Sequence, residues 1–296
     1  MKRTGALFTP SVAAAFVTLG LILACTVFAG VLAPFNPNEI HLDVTLSAPS
    51  GVHLLGTDSL GRDTLSRLLF GGRTAILNAL IVILISVCGG IPLGLICGYC
   101  AGWLDGAVMR FWEILLAFPS LLLGFLFVAA LGRGSGASTL ALGIVYIPMI
   151  SKLARNLTVG EKSKVYVKAA KSFGYSDSRI IFRHILPNIA SVLLAELTMD
   201  LGYAIITLAS LSFLGLGVQP PVSDWGATLQ EGMPLIRKSP LQALIPGFAI
   251  MLTIVSLNLL ADGIQAYLDP EQRKLPSFAK YRAKYGESES RDERFA

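Results

Sequence analysis

Two carboxylates, Glu196 and Asp200, stand four residues apart inside an otherwise apolar stretch. On a helix that spacing places them one turn apart on one face. Acids at membrane depth are costly and face protein or water. The pair can line a solute path and attract a cation or a peptide amino group. It can also pair with a base such as Arg110, or lie near a membrane interface. Other chemistry-bearing groups are sparse. His41, His53 and His184 do not cluster, and no nucleophile–base set accompanies them. Cys97 and Cys100 have C-x-x-C spacing but lie, like Cys25 and Cys88, in apolar segments. They lack the further ligands of a zinc site and the soluble setting of a redox pair. Gly160-Glu-Lys-Ser163 lacks the glycine directly before lysine that a phosphate-binding loop requires. The expectation is a non-catalytic chain that holds no metal and no cofactor of its own.

The elements that position these residues are membrane spans. Only 15% of the residues are charged, against about 25% in an ordinary soluble domain. Charge is absent from 4–38, 74–104, 114–132, 134–151, 201–223 and 239–261. Helices of about 20 apolar residues match the hydrocarbon thickness, and an open sheet cannot satisfy its backbone in lipid. The fold class is therefore an all-α polytopic membrane protein. Six spans are predicted at about 11–33, 74–101, 108–132, 137–152, 189–214 and 241–265, the fourth short and broken by Pro148. The first is too long for a signal-peptide core and reads as an uncleaved span.

Between the fourth and fifth spans, residues 152–187 hold eight Lys and Arg against two acids. Positive charge marks the cytoplasmic side, and an even number of spans puts both termini there too. The net charge of +5 is this loop's signature and not a nucleic-acid site. Within the loop, Val165, Val167, Ala169, Ala170 and Phe173 suit a short helix with one buried face. Gly174 can end it in the left-handed conformation. Ser176 can cap a second short helix that Pro187 stops before the fifth span. Two short helices lying across the spans are expected.

Gly56-Thr-Asp-Ser-Leu-Gly-Arg-Asp63 opens an amphipathic run in the first outward segment. Thr57 or Asp58 can cap a short interfacial helix there, with Asp58/Arg62 and Asp63/Arg67 as acid-to-base pairs. Asp58, Arg62 and Asp63 form either an outer docking surface or a structural lead-in to the second span. Gly90, Gly94, Gly98 and Gly102 recur at every fourth residue of that span and predict close helix packing in preference to pore lining. Pro92 predicts a kink. The organisation expected is an N-terminal span with an outward segment (1–72), a core (73–270) carrying the loop, and a charged cytoplasmic tail (271–296).

The loop resembles the EAA motif of binding-protein-dependent ABC permeases. Ala169, Ala170, Gly174, Leu186 and Pro187 match in register. Lys168 replaces the motif's Glu, and His184 stands at its Ile position with Ile185 beside it. Further segments resemble the dipeptide/oligopeptide/nickel permeases, in the pattern of their C-type subunit, in order over about residues 10–270. They are Gly56–Asp63, Ala117-Phe-Pro-Ser120, Arg183-His-Ile-Leu-Pro-Asn188, Ser212-Phe-Leu-Gly-Leu-Gly217, Asp224-Trp-Gly-Ala227, Asn258-Leu-Leu-Ala-Asp-Gly263 and Leu268-Asp-Pro270. The resemblance implies a type I importer-like fold. It assigns Lys168, Ala169, Ala170, Phe173, Gly174, His184, Ile185, Leu186 and Pro187 to coupling with an ATPase. It further implies a B-type permease partner, two ATPase subunits that bind ATP and Mg, and an extracytoplasmic solute-binding protein. The setting is the lipid of the cytoplasmic membrane. The solute is a di- or oligopeptide, with nickel or a metal chelate as the alternative. An ion-coupled secondary transporter or channel is the rival class suggested by the intramembrane acids.

Overall fold

A computed structural model describes residues 10–268. Among them there is no strand; one antiparallel bridge joins Thr57 and Asp63. The helices are α1 (Pro10–Val27), α2 (Ala29–Leu32), α3 (Thr64–Cys100), α4 (Trp103–Leu116), α5 (Ser120–Leu131), α6 (Ser135–Lys162), α7 (Val165–Ser172), α8 (Asp177–Ile180), α9 (Leu186–Phe213), α10 (Trp225–Gly232) and α11 (Leu241–Leu268). Five helices are long and apolar enough to cross a membrane, or six spans when the bent pair α4–α5 is counted as one. The all-α polytopic fold follows. The tail 271–296 lies outside the described residues.

Three boundaries differ from the sequence reading. The run after Gly56 is no separate interfacial helix. The chain enters α3 at Thr64 and stays helical for 37 residues, through Pro92 and across the boundary expected at 72/73. Its cap is Asp63, whose carboxylate accepts from the Ser66 amide, and not Thr57 or Asp58. The third span is two helices, α4 and α5, meeting at 92°. Pro119 at ψ 130° breaks the helix there, because proline also pushes its predecessor out of the α region. The fourth span is longer than expected, since α6 passes through Pro148 to Lys162. A proline inside a membrane helix survives where neighbouring helices pack around the gap, and Pro148 is buried.

Two apolar clusters stack along the bundle. One joins Ala79 and Val82 of α3, Leu142, Val145 and Tyr146 of α6, and Ala204, Ile205 and Leu208 of α9. The other joins Leu95 and Tyr99 of α3, Ala154 of α6, Val167 and Ala170 of α7, and Ile189 and Leu193 of α9. We call the end with residues 165–185 the loop end and the opposite one the cap end.

The α3–α6 pair is the most extensive helix contact, and glycine makes it. A Cβ on Gly90 would stand 2.8 Å from Ile150 Cβ, and one on Gly98 would stand 2.7 Å from the Arg155 carbonyl oxygen. At Gly94 it would meet the Ser151 carbonyl and Ala154. Gly102, the fourth of the series, meets nothing and instead turns the chain at φ +83°. Gly94→Val is expected to cost about 1–3 kcal/mol or more, as overpacking does. Gly106→Ala, at a helical glycine with open space around it, should not lower stability. Thermal melting in detergent tells the two apart.

Candidate functional site

The loop is built on a small polar scaffold. Val167 and Ala170 bury the inner face of α7 in the cluster with Ile180, Ile181 and Ile185. Tyr99, on the last turn of α3, donates to Asp177 at 2.7 Å. Lys162 donates to the Tyr99 carbonyl. Tyr166 donates to Glu161 at 2.7 Å and accepts from Asn188 at 3.0 Å. Burial, and then the Glu161 carboxylate, push the Tyr166 hydroxyl up to about 12, so it remains a donor. These contacts fix α7 to α6 and α9, and α3 to α6 and α8.

Its outer face is apolar where the sequence reading buried it. Val165 is 82% exposed and Phe173 79% exposed. Only Val167 and Ala170 of the five apolar positions are buried. Lys168 and Lys171 flank them in solvent. Gly174 has φ +77°, and the Tyr175 amide bonds back to the Ala170 carbonyl at 3.2 Å. That is a glycine-closed helix end of the kind expected.

The second short helix is not a separate element. Helix α8 continues through a π turn, Ile181–Ile185, into α9, giving one span from Asp177 to Phe213. Pro187 therefore does not stop a helix; it occupies the first turn of α9. A wide turn is one way to relieve the clash of a proline ring with the preceding turn. The carbonyl of His184 is served instead by the Asn188 side chain at 2.7 Å. The His184 ring stacks on Tyr175 at 5.8 Å, and Arg179 covers the other ring contact of Tyr175 at 4.2 Å. Ile185 is fully buried, while Leu186 is half-buried. The loop end of the long span is thus a rigid continuation of α9.

At the cap end, Asp58, Arg62 and Asp63 are buried and offer no surface; they take the lead-in role. Asp58 accepts from the Leu60 and Arg62 amides and binds Arg62 Nε at 2.6 Å. Asp63 does not pair with Arg67. It holds His53 at 2.9 Å and the Ser66 hydroxyl at 2.8 Å. Arg62 and Arg67 both donate to Glu231 Oε2 of α10, at 2.8 and 3.0 Å. Arg67 Nε stands 3.5 Å from Asp58, an ion contact without hydrogen-bond geometry. Gln242 of α11 donates to the Thr57 carbonyl and to Thr64. Trp225 donates to the Leu68 carbonyl at 2.9 Å, and Asp224 caps α10. Burial raises the Asp224 carboxyl, against the bonds it accepts from Ala227 and Gly226. Residues 62–72 and 224–231, far apart in sequence, meet in space.

Glu196 and Asp200 lie on α9 as expected, and neither meets Arg110 among the described residues. Asp200 is 0% exposed, with no hydrogen-bond partner on either oxygen. It sits between the two apolar clusters, since Leu193 belongs to one and Ala204 to the other. Glu196 is half-buried. Sequence reasoning missed the Asp105–Arg155 pair, a fork at 3.0 and 2.6 Å, and the role of Glu231. No local pattern marks partners that are fifty or more residues away.

The fold and the loop define a multi-pass membrane permease. Residues 90–274 match the family described as binding-protein-dependent transport system inner membrane component. The glutathione transport system permease protein GsiD of Pectobacterium atrosepticum is 41% identical over 252 residues, covering 85% of this chain and 84% of that one. The dipeptide transport system permease protein DppC of Alkalihalophilus pseudofirmus is 36% identical over 247 residues, covering 83% and 81%. The di/tripeptide transport system permease protein DppC of Pseudomonas aeruginosa is 38% identical over 257 residues, covering 85% of each. The chain belongs to the binding-protein-dependent transport permeases. It is a membrane component of such a system, and the secondary-transporter and channel readings are not favoured.

Replacing Glu231 by Gln removes the negative charge shared by two buried arginines and leaves one neutral carbonyl acceptor. Hydrogen bonds to charged groups contribute about 1.5–3 kcal/mol, and a loss in that range is expected in the thermal unfolding of Glu231→Gln. An unchanged melting temperature would show that the Glu231 charge does not hold α10 in place.

Proposed function

We propose that the chain is the C-type permease subunit of an ATP-driven peptide importer in the cytoplasmic membrane. A B-type permease completes the pathway with it. Two ATPase subunits, which bind ATP and Mg, dock on the loop ends, and an extracytoplasmic binding protein delivers the solute. The observation that carries this is α7: an anchored helix that turns Val165 and Phe173 outward on either side of Lys168 and Lys171. Exposed large apolar side chains on a fixed element mark an interaction surface. The basic excess of residues 152–187 supports a cytoplasmic position for this loop, with both termini on the same side. The peptide and glutathione names of the relatives support a peptide solute over nickel.

Mechanically, Lys168, Ala169, Ala170, Phe173 and Gly174 meet the ATPase, and His184, Ile185, Leu186 and Pro187 pass its movement into α9. Closure of the ATPase pair on ATP shifts the spans between inward-open and outward-open states. ATP must then bind one state more tightly than the other. Glu196 stands on the solute path, and Asp200 joins it when α6 and α9 separate.

The test is peptide uptake by the assembled transporter in proteoliposomes. A bulky side chain at Gly174 is strained at positive φ, while open space around it leaves the bundle untouched. Gly174→Val is expected to insert normally, lose most ATP-driven uptake and fail to retain the ATPase. Phe173→Ala should weaken ATPase retention by about tenfold, the scale of 1–2 kcal/mol for a truncated anchor. Normal uptake by Gly174→Val would sink the docking role.

A further inference from the structure

One flank of α9 is polar along much of its length. Glu196, Tyr203, Thr207 and Ser210 follow at intervals of seven, four and three residues, which keeps them on one side of a helix. Glu196, Thr207 and Ser210 are half-buried, and Tyr203 is 53% exposed. Asp200, sealed and unpartnered, borders the same flank. Thr207 and Ser210 donate back to the Tyr203 and Ile206 carbonyls, but an acid such as Glu196 in a membrane span faces protein or an aqueous space, not lipid.

Beside this flank lies a cavity of about 340 Å³ between α4, α5, α6 and α9. Its wall includes Leu115, Phe118, Phe127 and Met149, with Tyr203 and Thr207 from the polar flank. Tyr146, also on the wall, lies 3.3 Å from the Thr207 hydroxyl. An apolar cavity of about 150 Å³ holds benzene, so this one accommodates a large aromatic side chain with room for part of a backbone. Glu196 and Tyr203 are about 10 Å apart along the helix. An extended dipeptide spans about 7 Å of backbone, and an aromatic side chain on its second residue covers the remainder.

We infer that this cavity is a side-chain subsite on the solute path, taking an apolar or aromatic side chain of a peptide whose ammonium group lies toward Glu196 and Asp200. The inference rests on the peptide-importer reading. Charge complementarity selects the occupant. A lipid chain in the cavity would lie against Tyr203 and Thr207 and supply no cation for Glu196 on the same flank, whereas a peptide supplies a cation at one end and an apolar group at the other.

The experiment uses the complete transporter in proteoliposomes, with Gly-Gly and Ala-Phe as solutes and Met149→Trp as the variant that fills the cavity. The ratio of Ala-Phe to Gly-Gly uptake is expected to fall about tenfold relative to the parent protein, with the same binding protein in both. A ratio unchanged within twofold overturns the subsite. Photolabelling of the parent complex with Ala-benzoylphenylalanine keeps the test independent of how the variant folds. Labels on α5, α6 or α9 near Phe127, Met149 or Tyr203, competed by Ala-Phe, support the subsite. Labelling of these residues by a photoactivatable phospholipid that Ala-Phe does not reduce assigns the cavity to lipid and overturns it. Absence of peptide label there, as when the partner permease fills the space, also overturns it. If the parent complex imports neither peptide, the peptide-importer reading itself fails and takes the subsite with it.

Discussion

The close approach of α3 to α6 is the constraint on which the rest of the bundle depends. Gly90, Gly94 and Gly98 leave no room for a side chain, so the two backbones touch along the loop half of the molecule. Gly143 repeats the arrangement in reverse, against Ile85. In lipid there is little hydrophobic force between helices, and packing of this kind supplies the association. With α3 and α6 locked, both apolar clusters have a fixed wall against which α9 can pack. The cavity lies at the 92° bend between α4 and α5, against α6 and α9.

The two ends of the bundle are finished by different physics. At the cap end, two arginines and two carboxylates neutralise one another with little solvent contact, and the shared carboxylates offset the cost of burying the charges. At the loop end the donors are neutral side chains, Tyr99, Tyr166 and Asn188, and two of their acceptors are carboxylates. One end is built to hold a loop in a single shape. The other holds α7 by its inner face and leaves its outer face uncovered.

Much of this was legible in the sequence, for local reasons. Charge-free stretches located the spans, and the glycine series foretold the tight helix pair. The left-handed turn at Gly174 could be read from its neighbours. Where reading failed, the deciding interaction was distant. Asp63 capped α3 because Ser66 lay in its first turn and His53 held its other oxygen. Phe173 faced outward because Ile180, Ile181 and Ile185 had already filled the interior beneath α7. Proline misled twice, since neither Pro148 nor Pro187 ended a helix that neighbours could support. Pro119 did break one, at a place where α4 and α5 have different partners. The burial of Asp58 and Arg62 depended on Glu231, and no spacing rule connects positions that far apart.

Helix α3 behaves as a beam clamped at both ends. Its 37 residues extend about 55 Å, from the arginine cluster at Arg67 to the Tyr99–Asp177 bond. Pro92 removes one rung of the hydrogen-bond ladder and stands two residues after Gly90, so it is the compliant point. It divides the beam unequally, about 42 Å toward the cap and about 12 Å toward the loop. The longer part is roughly three and a half times the shorter. The contacts of Gly90, Gly94 and Gly98 with α6 straddle that point, so the shorter part moves together with α6. A displacement imposed at Tyr99 is therefore shared with α6 before it can travel along α3 to Arg67.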